Sequence, residues 1–215
     1  MLVSGIVLAG GASRRFGADK LAQPIDGVAL VNRAVAALFE VADEIVVVLA
    51  PGRQLPALTV RGGGPPMRFA TDPTEFEGPL AGIRTGLAAA RGSTVVVVGG
   101  DMPSIVPAVL ELLIGQAPAA LADDTGVLRP LPVALERSAA LRVSERLLAG
   151  GERRLRALLS ELGTVAVPRS EWAAQDPAGM TLVDIDEPAD LAALSPNQQG
   201  PDLSIGALRR EEPGP

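Results

Sequence analysis

The chain has 215 residues, of which 47% are hydrophobic and only 2% aromatic; its formal charge is -6, and it contains neither cysteine nor histidine. That length suits one α/β domain with an aliphatic core of Val, Leu, Ile and Ala, and the net negative charge offers no basic field to attract nucleic acid. Without Cys or His there are no disulfides, thiolates, cysteine metal sites or histidine bases, so catalysis falls to carboxylates, Lys, Arg, backbone amides and a hard cation.

Val3–Ala9 is apolar, lacks a basic leader and runs straight into glycines, so it reads as a first strand and not as a signal peptide. A loop from Gly10 to Lys20 follows. Ala29–Phe39 has helical apolar spacing, and Glu44–Leu49 reads as a buried strand. Pro51–Pro66 is loop, Met67–Ala70 a short strand, Asp72–Pro79 a loop and Leu80–Arg91 a helix. Thr94–Val98 is an all-aliphatic strand that ends at Gly99-Gly100-Asp101, and Pro107–Ile114 is helical. Ala117–Ala122 and Leu131–Leu135 read as two strands flanking the turn-type cluster Asp123-Asp124-Thr125-Gly126. Helices are expected at Leu141–Ala149 and Arg153–Leu162, a short strand at Thr164–Val167, a last strand at Leu182–Ile185, and a helix at Ala189–Leu194. From Ser195 to Pro215 the composition turns to Pro, Gly, Gln, Glu and Arg without periodicity, which predicts a disordered tail after a domain spanning residues 1–194. Alternating β and α elements predict a mostly parallel sheet with helices on both faces, binding ligands at the carboxyl ends of its strands. No apolar run approaches the about 20 residues needed to span a bilayer, so a soluble, cytoplasmic protein without a membrane partner is expected.

The segment Leu8-Ala9-Gly10-Gly11-Ala12-Ser13-Arg14-Arg15-Phe16-Gly17-Ala18-Asp19-Lys20 carries the strongest signal. Glycines just after a strand let the backbone approach a ligand and aim N–H groups at phosphate oxygens, while Arg15 and Lys20 add positive charge. A solvated βα loop with two ordinary cations is the plain alternative. The spacing is neither the dinucleotide G-x-G-x-x-G pattern nor a P-loop. Asp101 should project at the ligand edge, where a hard oxygen suits Mg²⁺, although Asp before Pro103 also suits a helix cap. Asp184 and Asp186, two apart on an expected strand, share one face and could serve one ion, or Asp186 could cap the helix that follows. Gly78-Pro79-Leu80-Ala81-Gly82 opens a helix whose free N–H groups favour anions, or packs tightly through its glycines.

The first segment resembles the L-A-G-G-x-S-x-R-[MF]-G-x-D-K signature of the molybdenum cofactor guanylyltransferase family. Glu77-Gly78-Pro79-Leu80-Ala81-Gly82-Ile83, Gly99-Gly100-Asp101-Met102-Pro103 and Ala149-Gly150-Gly151-Glu152-Arg153-Arg154 agree with that family in order and spacing. The resemblance covers residues 3–194 and implies a Rossmann-like, three-layer α/β/α nucleotidyltransferase. Such an enzyme would transfer GMP from GTP to molybdopterin and release pyrophosphate, with Mg²⁺ as cofactor. It further implies that Leu8, Ala9, Gly10, Gly11, Arg15, Lys20, Asp72 and Asp101 bind the nucleotide, with Arg15, Lys20 and Asp101 catalytic. Asp101 and Asp186 would hold the metal, with Asp184 in support. Gly78, Pro79, Leu80, Gly82, Arg153 and Arg154 would face the acceptor, with Arg156 in the same basic cluster, or those arginines form only a solvated helix face. Asp72 would read guanine, or is an ordinary turn residue before Pro73. Read from the residues alone, Phe76 could cover a ligand or simply pack, and Trp172 packs. One departure is Leu49-Ala50-Pro51-Gly52, where the family often carries a base-facing Asn; it leaves open a cytidylyltransferase or another phosphorylated acceptor. An inert nucleotide-binding regulator is the alternative of a different class, but it would not need Lys20, Asp101 and Asp186 together.

Overall fold

The computed structural model describes residues 1–11, 16, 19–55, 58, 64–73 and 78–194. The expected tail, Ser195–Pro215, lies outside these residues. In chain order the elements begin with β1 (Val3–Ala9), a 3₁₀ turn at Lys20–Ala22, a small hairpin of β2 (Pro24–Ile25) and β3 (Val28–Ala29), and α1 (Leu30–Phe39). Next come β4 (Glu44–Leu49), β5 (Met67–Thr71), α2 (Pro79–Ala89), β6 (Thr94–Gly99) and α3 (Pro107–Gly115). They are followed by β7 (Ala119–Ala122), β8 (Leu128–Glu136), α4 (Arg137–Ala149), α5 (Leu155–Glu161), β9 (Val165–Val167), α6 (Arg169–Trp172) and α7 (Pro188–Leu194).

Seven strands form one sheet in the order β5-β4-β1-β6-β8-β7-β9. β5, β4, β1 and β6 run parallel, β8 is antiparallel to both β6 and β7, and β9 is parallel to β7. The central strands are runs of valine because both sides of each are covered. Val7, Ile45, Val47, Val96 and Val98 pack on one side with Val31, Ala34, Val35 and Leu38 of α1 and Leu110 of α3. Their neighbours Ile6, Val46, Val48, Val95 and Val97 pack on the other with Leu80, Ile83 and Leu87 of α2, Ala140 of α4 and Leu158 of α5. The strand period of two thus divides one aliphatic run between two cores, giving the expected three-layer α/β/α architecture.

Three of the departures from expectation have plain local causes. Glu136 caps α4, its carboxylate accepting from the Ser138 and Ala139 N–H groups, so that helix begins four residues before Leu141. Arg154 stands at the N-cap of α5, which leaves Arg153 outside the helix. Leu182–Ile185 is not a strand. The Asp176 carboxylate accepts from the N–H groups of Met180 and Thr181 and winds this segment into a 3₁₀ turn at Met180–Leu182. Beyond it the Ile185 N–H bonds the Asp101 carbonyl at 3.0 Å instead of joining a ladder.

At the amino-terminal edge of the sheet, far from the ligand edge, Glu44 is buried. It accepts from the Ser4 hydroxyl and the Arg91 N–H, both at 2.6 Å, and pairs with Arg68. Burial pushes its carboxyl upward, but these hydrogen bonds and the Arg68 charge outweigh it and hold the pKa below the usual glutamate value. A depressed carboxylate contributes stability above its unfolded pKa and loses that contribution as pH falls through the folded one. Glu44→Ala leaves the buried Ser4 hydroxyl and the Arg91 N–H without their acceptor and is expected to cost about 2 kcal/mol, roughly 4–8 °C in Tm. The deficit should shrink on acidification and leave substrate KM unchanged. Melting curves across pH check it; a pH-independent deficit would refute the charge-based account.

Candidate functional site

Register brings the motifs together. Leu8 of β1 lies opposite Val48 on one side and Gly99 on the other, and Ala9 lies opposite Leu49. Gly10-Gly11, Ala50 and Gly100-Asp101 therefore leave the sheet side by side at its carboxyl edge. The Gly100 N–H bonds the Leu8 carbonyl at 3.0 Å, and the Asp72 N–H bonds the Leu49 carbonyl at 2.9 Å. Asp72 thus stands at the same edge, half-buried. Ala9 is fully buried and has no exposed surface to offer a ligand. Arg15 lies outside the described residues, as do Phe76 and Glu77.

Lys20 begins the 3₁₀ turn that follows the Gly-rich loop. Asp19 caps that turn, its Oδ1 accepting from the Leu21 N–H at 3.2 Å, and buried Leu21 anchors it to the core. From there the Lys20 ammonium reaches Asp101 Oδ2 at 2.9 Å and Asp186 Oδ1 at 3.4 Å. Asp101 caps no helix: α3 starts later, with Val106 at its N-cap. Nor is the Asp186 side chain needed at the turn into α7, because the Asp190 carboxylate accepts from the N–H groups of Asp186 and Glu187, each at 2.8 Å.

The segment Asp184-Ile185-Asp186 is held by its middle residue. Ile185 is fully buried in a small cluster with Ile25 and Leu30, and its N–H is tied to Asp101. Asp184 keeps solvent-open surface, yet its carboxyl is pushed above the ordinary aspartate range by partial withdrawal from water and by the Asp186 and Asp101 charges. Of these causes the two neighbouring carboxylates matter most to the site. Three acidic groups thus share one field, and Lys20 counters it. Among the described residues no group of three acidic side chains is close enough to enclose an ion alone. Two carboxylate oxygens converging on one cation nevertheless fit Mg²⁺, which prefers hard oxygens and completes its shell with water and substrate phosphates.

The two segments expected to face the acceptor also adjoin each other. Gly78 has φ +90°, a region that favours glycine, and a Cβ there would lie 3.1 Å from the Arg153 carbonyl oxygen. Gly78 and Pro79 are exposed at the start of α2, and Gly82 lies over Leu8. Leu80 requires a correction: the whole residue is buried in the core under α2, so it offers an acceptor no accessible surface. The basic cluster is also less uniform than expected. Arg153 donates to the carbonyls of Leu148 and Glu152, and exposed Arg154 pairs with Glu152 at 2.6 Å. That arginine, with the N–H groups of Arg154 and Arg153, lowers the Glu152 carboxyl to about 2. Arg156 instead lines a shallow hollow with Leu128, Leu159 and Thr164. Trp172 is buried against Ala119 and Leu121 with its indole N–H on the Ala122 carbonyl, so it packs.

One residue at the site was not singled out in the sequence. Arg53, in the turn after β4, bonds both the Gly11 carbonyl and the Asp19 carboxylate. Pro51-Gly52 was its signal, since this pair sets a turn that sends the chain back over the preceding strand.

Comparison with known proteins agrees with this geometry. Residues 5–167 match the family described as MobA-like NTP transferase domain. A protein of Chloroflexus aggregans named "Probable molybdenum cofactor guanylyltransferase" is 37% identical over 89% of this chain and 92% of its own length. One of the same name from Mycolicibacterium paratuberculosis is 32% identical over 91% and 96%. The crystal structure of molybdopterin-guanine dinucleotide biosynthesis protein A from Archaeoglobus fulgidus superimposes with a TM-score of 0.72 at 26% identity, covering 90% of this chain and 97% of that one. With a loop, a lysine and acidic strand ends gathered at one sheet edge, and with matches of that extent, the chain belongs to the MobA-like NTP transferase family of nucleotidyltransferases.

Proposed function

We propose that this protein transfers GMP from GTP to the phosphate of molybdopterin and releases pyrophosphate. The observation that carries the reading is the convergence of Lys20, Asp101 and Asp186 beside the Gly10-Gly11 turn. Backbone amides of the Gly-rich loop, with Arg15 and Lys20, would bind the triphosphate, and the Lys20 ammonium would exchange its carboxylate contacts for phosphate oxygens. Gly78, Pro79, Arg153 and Arg154 would hold the acceptor on the α2 side. An acceptor phosphate oxygen then attacks the α-phosphorus, forming a P–O–P bond as the bond to the β-phosphate breaks. The acceptor phosphate is already anionic near neutral pH, so no general base is needed, consistent with a chain that lacks His and Cys. Mg²⁺, held by Asp101 and Asp186, would supply charge neutralisation at the α-phosphate and the attacking oxygen.

Base preference follows from Asp72, whose carboxylate could accept from guanine N1–H and the 2-amino group. Its half-burial reduces the penalty of leaving it mismatched, so we expect kcat/KM to favour GTP over CTP by at least about 10-fold. Asp72→Ala should erase most of that preference. The opposing observation is Leu49-Ala50, which offers no side-chain amide to read a base. Pyrophosphate release from GTP, CTP and ATP with molybdopterin, in wild type and Asp72→Ala, is the test. CTP used as well as GTP would end the guanine assignment and leave nucleotidyl transfer standing.

A further inference from the structure

We infer that Arg53 is a positioning residue that clamps the two ends of the Gly-rich loop and thereby sets Lys20, an assignment that rests on reading this loop as the nucleotide site. The Ala50-Pro51-Gly52-Arg53 turn directs it. Its closing bond runs from the Arg53 N–H to the Ala50 carbonyl at 3.1 Å, with Gly52 at φ +70°. Proline followed by a positive-φ glycine is the type II pattern, which reverses the chain as it leaves β4. The side chain, only 13% exposed, then reaches the Gly11 carbonyl, where the loop begins, and the Asp19 carboxylate, where it ends.

Asp19 serves a second partner. The Oδ1 that meets Arg53 also accepts from the Leu21 N–H and caps the turn bearing Lys20. Lys20 in turn spans Asp101 and Asp186. A continuous set of contacts therefore joins the end of β4 to the two carboxylates. Arginine suits this task because its planar fork can engage a carbonyl and a carboxylate at once; a lysine ammonium is a single point of charge.

The test combines nucleotide binding with a ligand-free readout. Arg53→Ala should weaken GTP binding by about 10-fold in calorimetry, and Arg53→Lys should recover only part of it. KM for GTP should rise with Arg53→Ala while KM for the acceptor stays constant. Asp19→Asn keeps the capping oxygen but removes the charge, so its loss should be less than additive with Arg53→Ala in a double-mutant cycle. Without nucleotide, amide exchange at Leu21 should be faster in Arg53→Ala than in wild type. Unchanged exchange, additive losses, or tighter GTP binding by Asp19→Asn would each overturn the clamp. If the wild type binds neither GTP nor CTP, the proposed guanylyl transfer fails, and the exchange measurement still decides the clamp.

Discussion

Asp101→Asn is expected to lower kcat for Mg²⁺-dependent pyrophosphate release by about 10³-fold or more, equivalent to roughly 4 kcal/mol of transition-state stabilisation. The substitution keeps the shape of the side chain and one carbonyl oxygen, so steric change is small. What disappears is a full negative charge at the end of β6, where the metal would neutralise the transferring phosphoryl group. Folding should be affected far less. The Asp101 side chain is 30% exposed, and Lys20 retains Asp186 as a partner. The backbone of residue 101 still accepts from the Ile185 N–H, which preserves the approach of the Asp184–Asp186 segment. Steady-state kinetics over a Mg²⁺ titration, alongside melting curves, separate the two effects. Turnover that stays undiminished at saturating Mg²⁺ would sink the metal assignment.

How much of this site was legible in the sequence depends on how local each signal is. The strands β1, β4 and β6 were readable because aliphatic runs bounded by glycine or charged residues allow few other structures, and their ends differ from expectation by at most one residue. The edge on which Gly10 and Asp101 meet also followed, since parallel strands carry their loops to the same side. Leu182–Ile185 misled because its aliphatic residues suit a strand while the determinant, the Asp176 carboxylate, lies upstream and acts through two backbone bonds. The conclusion drawn from that false strand survives on different grounds: burial of Ile185 between Asp184 and Asp186, and not strand alternation, places the acidic pair near Asp101. Leu80 shows the reverse error. Its motif points toward the acceptor, but α2 must bury one stripe, and Leu80 falls on that stripe with Ile83 and Leu87. Arg53 was signalled only by the Pro51-Gly52 turn, because its partners, Gly11 and Asp19, are more than thirty residues away in sequence.

Lys20→Ala should lower kcat/KM for the nucleotide by about 10²–10³-fold while shifting the melting temperature only slightly. Three carboxylates lie in this part of the cleft, and Lys20 compensates at least the two it touches, Asp101 and Asp186. In the nucleotide-free protein its removal leaves those charges repelling one another. They stand at a cleft edge with side chains 30% and 58% exposed, where water and salt screen much of the repulsion. With the triphosphate bound the situation differs, because an ammonium shielded from water and aimed at phosphate oxygens has no solvent substitute of equal charge. The loss should therefore concentrate in nucleotide binding and the chemical step. Lys20→Arg is also expected to be impaired, since a planar guanidinium cannot replace a compact ammonium held 2.9 Å and 3.4 Å from two separate oxygens. Calorimetry with GTP and melting curves on both variants check this. Losses of thermal stability that match the loss of activity, with unchanged GTP affinity, would show instead that Lys20 merely balances charge in the fold.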